Sequence, residues 1–280
     1  MDSFAIISDV HLVNQESTLY GGNPLKRVGL VLDNIEMQIG AIDFILVTGD
    51  ISHRGESETY DPFFELMDKR GVTCFPLIGN HDQRENLLSH VDPNLIDSGG
   101  YLQYKIEGKF LEIICIDTVE NPKHTGHLNS KKLEFLEKQI LNSNPKKHLI
   151  LAMHHQPMDI GISSADQFQL QDAEKLIKVF EENRKPDYLL FGHVHRTLQG
   201  IWNGIPYRSQ KGLNHQVSRH VLDENKVGQS FEDPEYTLCT ASEKQLHFDC
   251  VNFLYQGPHF SNKDDTGKNF MLERSWISNV

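Results

Sequence analysis

Six short runs of apolar and β-branched residues punctuate the chain: FAIIS (4–8), FILVTG (44–49), CFPLIG (74–79), LEIICID (111–117), HLILAMHH (148–155) and DYLLFGH (187–193). Each has the length and composition of a strand. Between several of them lie stretches with helical spacing. LKRVGLVLDNIEMQIG places Leu25, Val28, Leu32, Ile35 and Ile39 three to four residues apart, as one helix face requires. SETYDPFFELMDKRG opens on Ser57, a capping-type residue, and ends near Gly71. NSKKLEFLEKQILNSN and LQDAEKLIKVFEENRKP read as two more amphipathic helices. Strands alternating with helices predict an α/β fold. From GIWNGIPYRS onward the pattern changes to short strands and turns, with Asn203-Gly204 as a strong hairpin signal. The tail SNKDDTGKNFMLERSWISNV is polar except at its end, a candidate for docking on the body or on a partner.

The ends of these runs carry residues of one chemical kind. IISDVHL supplies Asp9 and His11, VTGDI supplies Asp50, and IGNHD supplies Asn80, His81 and Asp82. LAMHHQP supplies His154 and His155, and FGHVH supplies His193 and His195. In an extended segment residues two apart point the same way, so His193 and His195 share a direction and suggest a shared target. In an open α/β sheet, strand-to-helix junctions gather at the carboxyl edge. Five such junctions delivering carboxylate, amide and imidazole groups point to one site.

That ligand set suits two divalent ions of the iron, manganese, zinc or cobalt type, and the absence of cysteine from it argues against a structural zinc centre. Two ions roughly 3.5–4 Å apart need a shared bridge, which a carboxylate can supply. Two carboxylates, Asp9 and Asp50, against two divalent cations leave the centre positive and attractive to a phosphate ester. Such a centre lowers the pKa of bound water and stabilises charge during in-line attack, and a nearby histidine off the metals can protonate the leaving alkoxide.

Bulk properties bound the partners. A net charge of −12 over 280 residues argues against a long nucleic acid as partner, while leaving room for a small anion. No run approaches the ~18 apolar residues of a membrane span. The start, MDSFAIISDVH, lacks a basic n-region, so a cytoplasmic location without membrane contact is expected. Cys74, Cys115, Cys239 and Cys250 form no CxxC pair, and the first two sit in apolar runs that suit buried thiols.

The ordered series D-x-H, GD, GNHD, HH and GHxH, spread over residues 3 to 197, resembles the calcineurin-like metallophosphoesterase superfamily. The resemblance implies a four-layer αββα sandwich. It implies one metal on Asp9, His11, Asp50 and His195, and a second on Asp50, Asn80, His154 and His193, with Asp50 bridging. His81 would stand beside the substrate as proton donor or phosphate contact, with Asn80 also near the substrate. Purple acid phosphatases carry tyrosine three residues after the bridging aspartate, where this chain has His53. Ser/Thr protein phosphatases carry GDxVDRG and GNHE, and of these distinguishing residues only Arg54 and Gly55 agree. GDISHRGESETY, LYGG (19–22) and MHHQP are more similar to the class III cyclic nucleotide phosphodiesterases, a branch that includes bacterial glycerophosphodiesterases. GLNHQVSRH and FLYQGPHF look most like the latter, which makes His215 a candidate substrate contact and implies a small C-terminal cap and a homo-oligomer.

The expected function is therefore hydrolysis of a small anionic phosphodiester, a 3′,5′-cyclic nucleotide or a glycerophosphodiester, by metal-bound hydroxide. The alternatives are a phosphomonoesterase of the same superfamily, for which Arg54 would be the added cation, and a non-catalytic protein-binding scaffold. Residues 1–200 would form the core, and 201–280 would complete the second sheet and supply the cap or oligomerisation segment. His155, next to His154 in extended backbone, should point away from the cluster, and Asp117 should be structural. Asp82 should cap the next helix or orient a ligand. His124, His127, His220, His247 and His259 are expected at the surface or in packing.

Overall fold

The computed structural model describes residues 1–14, 17–219 and 227–255. His220, His259, the polar tail and the end of FLYQGPHF lie outside the described residues. Strands β1 (Asp2–Ile7), β2 (Phe44–Val47) and β3 (Cys74–Pro76) pair in parallel, in register Phe4 with Phe44 and Leu46 with Phe75. A second sheet is built from β4 (Tyr104–Glu107), β5 (Leu111–Cys115), β6 (His148–Met153), β7 (Tyr188–Phe191), β8 (Gln199–Trp202) and β9 (Ile205–Ser209). Its order is β4-β5-β6-β7-β9-β8, with β5, β6, β7 and β9 parallel. After a small ribbon of β10 (Gln216–Val217) and β11 (Gln229–Ser230), the chain returns to the first sheet. There β12 (Tyr236–Ser242) pairs antiparallel with β1, and β13 (Gln245–Val251) forms the edge. The β8–β9 hairpin turns at Asn203-Gly204, both with positive φ (48° and 79°), as the residue pair predicts.

The period-2 pattern of β5, β6 and β7 divides the core. Ile114, Leu149, Leu151, Met153, Leu189 and Phe191 face Leu136 and Ile140 of helix α4 (Ser130–Leu141) and Leu176, Val179 and Phe180 of α6 (Ala173–Glu182). Their alternates Ile113, Cys115, Ile150, Ala152 and Leu190 join Phe4, Ile6, Ile45 and Val47 of the first sheet. That cluster also takes in Val28 of α1 (Pro24–Asn34) and Tyr60 and Phe63 of α2 (Ser57–Lys69). Helices, sheet, sheet and helices give the four-layer sandwich expected. Two shorter helices, α3 (Arg84–Leu88) and α5 (Ser163–Asp166), lie in the connections. Among the described residues no helix is long and apolar enough to cross a membrane.

Helix starts depart from the sequence reading. α1 begins at Pro24 with Asn23 accepting the Lys26 N–H at 2.9 Å, and beyond Asn34 it continues as a π-helical turn, Ile35–Ile39. Ser57 does not cap α2: it is already the first helical residue, and Glu56 precedes it without a side-chain cap bond. The serine that serves this turn is Ser52, whose Oγ accepts the Gly55 N–H at 2.7 Å and the Thr59 hydroxyl at 2.8 Å.

Candidate metal centre

The carboxyl ends of β1, β2 and β3 in one sheet meet those of β6 and β7 in the other, so the polar residues that follow each strand converge. The backbone turns sharply to deliver them. Asp9, His11, Asp50, His193 and His195 have φ of 48°, 52°, 53°, 66° and 46°, five of the seven non-glycine residues with positive φ among those described. Left-handed backbone at a residue with a Cβ costs roughly 1–3 kcal/mol and persists where surrounding structure imposes it, typically at functional sites. Gly49, at φ +102°, makes the turn into Asp50, and a Cβ there would run into the His154 ring and lie 3.0 Å from Gly79 Cα. Gly49→Ala is expected to cost roughly 2–4 kcal/mol, backbone strain plus overpacking, read as a lowered urea midpoint; an unchanged midpoint would refute this packing.

Asp50 sits at the middle of the site. Its Oδ2 lies 3.6 Å from His11 Nε2 and 3.5 Å from His154 Nε2, and its Oδ1 accepts the His81 backbone N–H at 2.8 Å. His11 Nε2 faces His195 Nε2 at 3.1 Å, and His195 Nε2 is 3.3 Å from Asp9 Oδ1. Asp9 also accepts the His193 backbone N–H at 3.2 Å and the Ser8 hydroxyl. On the other side His154 Nε2 lies 3.1 Å from Asn80 Oδ1, and the His154 and His193 ring centroids are 5.0 Å apart. The ligand atoms of Asp9, His11, Asp50 and His195 all fall within 4.8 Å of one another. Buried carboxylate and imidazole groups converging in this way are a donor set that fits a divalent cation. The structure thus brings all seven expected ligands together, in two groups that meet at Asp50.

Burial and charge set the protonation of these groups. Burial acts to raise the Asp50 carboxyl, but His154 and His81 outweigh it and hold it well below the usual range. Burial acts to lower His154, yet Asp50 prevails and lifts it to about 9. Asp9 and His195 behave alike: each is opposed by burial, and their mutual attraction leaves the acid lowered and the imidazole raised. Burial drives His11 well below its ordinary value and brings His193 and His215 to about 3. Neutral imidazoles offer lone pairs, which is the form a metal requires.

Neighbouring residues brace the cluster. Asp82 does not cap α3, whose cap position is Gln83 without a side-chain bond. Its carboxylate accepts the N–H groups of Ser52 (2.9 Å) and Gly79 (2.9 Å) and the Tyr60 hydroxyl (3.0 Å), tying the loops after β2 and β3 together. Burial, with Asp50 adding, raises the Asp82 carboxyl to about 6. His155 does not point away from the cluster as expected: its ring lies 4.7 Å from that of His193 and 4.9 Å from that of His154. Both its nitrogens are engaged, however, Nδ1 accepting from the Thr118 hydroxyl at 2.7 Å and Nε2–H donating to His124 O at 3.1 Å. Asp117, at the end of β5, binds Arg84 and Lys132 rather than joining the cluster.

A cavity of about 250 Å³ opens above the cluster. His11, Asp50, Asn80, His81, His193, His195 and His215 form its polar side, and Tyr20, Ala165, Phe168, Val217 and Val227 its apolar side. His215 is buried, with its ring 4.6 Å from that of His195. Arg54 is exposed and is not among the lining residues. Two lining histidines were not legible as such. His124, expected at the surface or in packing, is exposed but stands at the cavity, where Asn80 Nδ2 donates to its Nδ1 at 3.1 Å. His53 lies against His11 and His81. Neither ends an apolar run, so strand-end chemistry could not have found them.

The sandwich and the carboxylate–imidazole cluster at its carboxyl edge define a hydrolytic phosphoesterase, and comparison with known proteins agrees. Residues 3–197 match the family model described as calcineurin-like phosphoesterase. The chain belongs to the calcineurin-like phosphoesterase family. It is 32% identical over 263 residues to a probable cyclic nucleotide phosphodiesterase of Rhodopseudomonas palustris, covering 93% of this chain and 96% of the relative. It is 30% identical over 261 residues to a probable glycerophosphodiester phosphodiesterase of Arcobacter nitrofigilis, covering 90% and 94%. A dimetal phosphatase from Danio rerio shares the fold, with a TM-score of 0.65 at 14% identity over 90% of this chain and 96% of that one.

Proposed function

We propose that the chain is a binuclear phosphodiesterase acting on a small diester, a cyclic nucleotide or a glycerophosphodiester. One divalent ion would be held by Asp9, His11, Asp50 and His195, and the other by Asp50, Asn80, His154 and His193. The observation that carries this reading is the position of a single oxygen, Asp50 Oδ2, between His11 Nε2 at 3.6 Å and His154 Nε2 at 3.5 Å. When bound, such ions supply Lewis acidity and activate water near neutral pH.

The chain's own residues do the rest. The His81 backbone N–H is fixed on Asp50, and its ring Nδ1–H donates to His53 O at 2.9 Å, leaving Nε2 as the remaining nitrogen for the cavity that His81 lines. From there the doubly protonated ring would give its Nε2 proton to the leaving alkoxide and be left neutral, with Nδ1–H still on His53 O. Asn80, beside His154, and His215, beside His195, would flank the phosphoryl group, and the apolar wall would lie against the substituent that departs.

Two features support a diester over a monoester. A dianionic monoester rewards an added cation, and no lysine or arginine is among the described residues lining the cavity. Both relatives above bear phosphodiesterase names. With protein stripped and reloaded with manganese, bis-p-nitrophenyl phosphate is expected to turn over at least about tenfold more efficiently than p-nitrophenyl phosphate, a difference of ~1.4 kcal/mol. A monoester preference would overturn the assignment. Cyclic AMP against glycerophosphocholine then separates the two diester classes.

A further inference from the structure

A metal-binding imidazole that ligates through Nε2 carries its proton on Nδ1 and needs an acceptor there, which fixes both ring orientation and tautomer. Two of the proposed ligands find a backbone carbonyl. His154 Nδ1–H donates to Thr48 O at 2.7 Å, and His195 Nδ1–H donates to His215 O at 2.9 Å. His11 is different. Its Nδ1 faces a side chain, His53 Nδ1, at 3.3 Å.

His53 is held in place by the backbone. Past the ends of β1 and β2 the two chains stay zipped: His11 N–H donates to Asp50 O (2.9 Å), Leu12 N–H to Ile51 O (2.7 Å) and His53 N–H to Leu12 O (2.8 Å). The same residue also contacts His81. Its carbonyl accepts the His81 Nδ1–H at 2.9 Å, and the two rings lie nearly parallel, 17° apart in plane with centroids separated by 5.4 Å.

We infer that His53 is a positioning residue that sets the metal-binding tautomer of His11 through its ring while aligning His81 through its carbonyl and ring face. In that arrangement His53 offers a lone pair at Nδ1 and keeps its proton on Nε2. The inference rests on the two-metal reading above.

Calorimetric titration of stripped full-length protein with manganese tests it without measuring turnover. His53→Phe keeps a ring against His81 and removes the acceptor. It should weaken one of the two ions about 10- to 100-fold, the usual cost of losing such an outer partner, and leave the other within about twofold. His53→Asn, which restores an acceptor oxygen, should recover most of the loss. Two ions bound by His53→Phe with wild-type affinities would overturn the inference, as would loss of a third equivalent, which would make His53 a ligand itself. Wild-type protein that binds fewer than two ions would instead sink the two-metal reading. Should His53→Phe fail to fold, imidazole ¹H–¹⁵N spectra of manganese-free, zinc-loaded wild-type protein decide the matter. They should show His11 protonated at Nδ1 and His53 at Nε2, and a proton on His53 Nδ1 would overturn the inference.

Discussion

Asp50→Ala is expected to lower phosphodiester turnover by at least about a thousandfold, the upper end of what losing one electrostatic stabiliser costs an enzyme. Three roles disappear together. Oδ2 is the point shared by the His11 and His154 sides of the cluster, and Oδ1 fixes the His81 backbone at 2.8 Å. The chain should still fold, because His154, now lacking the carboxylate that lifts it to about 9, can shed its proton and stay neutral in the interior. Circular dichroism should therefore match wild type while metal retained after desalting falls below two equivalents. Wild-type turnover in a folded Asp50→Ala protein would remove the proposed centre altogether.

The second large effect is on stability. Asp117 is fully buried and receives Arg84 through both terminal nitrogens, with Lys132 Nζ at 3.4 Å. It also accepts the N–H of Val119 at 2.9 Å and of Leu102 at 3.3 Å. Lys132 is itself buried, with the Tyr101 ring 5.0 Å away and the carbonyls of Val119 and His127 at 2.9 and 3.2 Å. Burial lowers its ammonium and Asp117 opposes that shift. Asp117→Ala leaves the buried Lys132 ammonium without its anion and beside the half-buried Arg84, and stranding a buried charge typically costs about 3–5 kcal/mol. For a chain of this size that corresponds to a melting temperature lower by roughly 10 °C. A shift of under about 2 °C would show that solvent reaches the cluster. Because Arg84 opens α3 three residues after His81, the same substitution should also reduce turnover.

The proposed ligands could be picked out in the sequence because they follow the ends of apolar runs and recur at five of them; Asp117, which ends a sixth, pairs with Arg84 and Lys132 instead. The alternation in β5, β6 and β7 likewise made the layers legible. What stayed hidden depends on the path of loops. Ser57 has the chemistry of a cap, but the turn before α2 is satisfied by Ser52, which arrives from the other side of the loop. Asp82 follows His81 as a helix cap would, yet it is drawn inward by three backbone N–H groups and Tyr60. His124 reaches Asn80 because its carbonyl is held by His155, a contact between residues 31 apart that no local pattern encodes. The apolar wall joins Tyr20, Phe168 and Val217, which are distant in sequence and meet only once both sheets are in place.

Asp9, His11 and Asp50 leave one sheet, and His154, His193 and His195 leave the other, although the two sheets share no strand. The cluster therefore acts as a gauge of sheet alignment. If one layer slips against the other by ~1 Å, the two half-sets separate, and a displacement of that size can cost a reaction a hundredfold. Side chains that set this alignment, such as Ile113 and Ile150 in the layer between the sheets, thus tune the chemistry from a distance. Those beneath α4 and α6, on the far face of the second sheet, carry the stability of the fold with less leverage on the site.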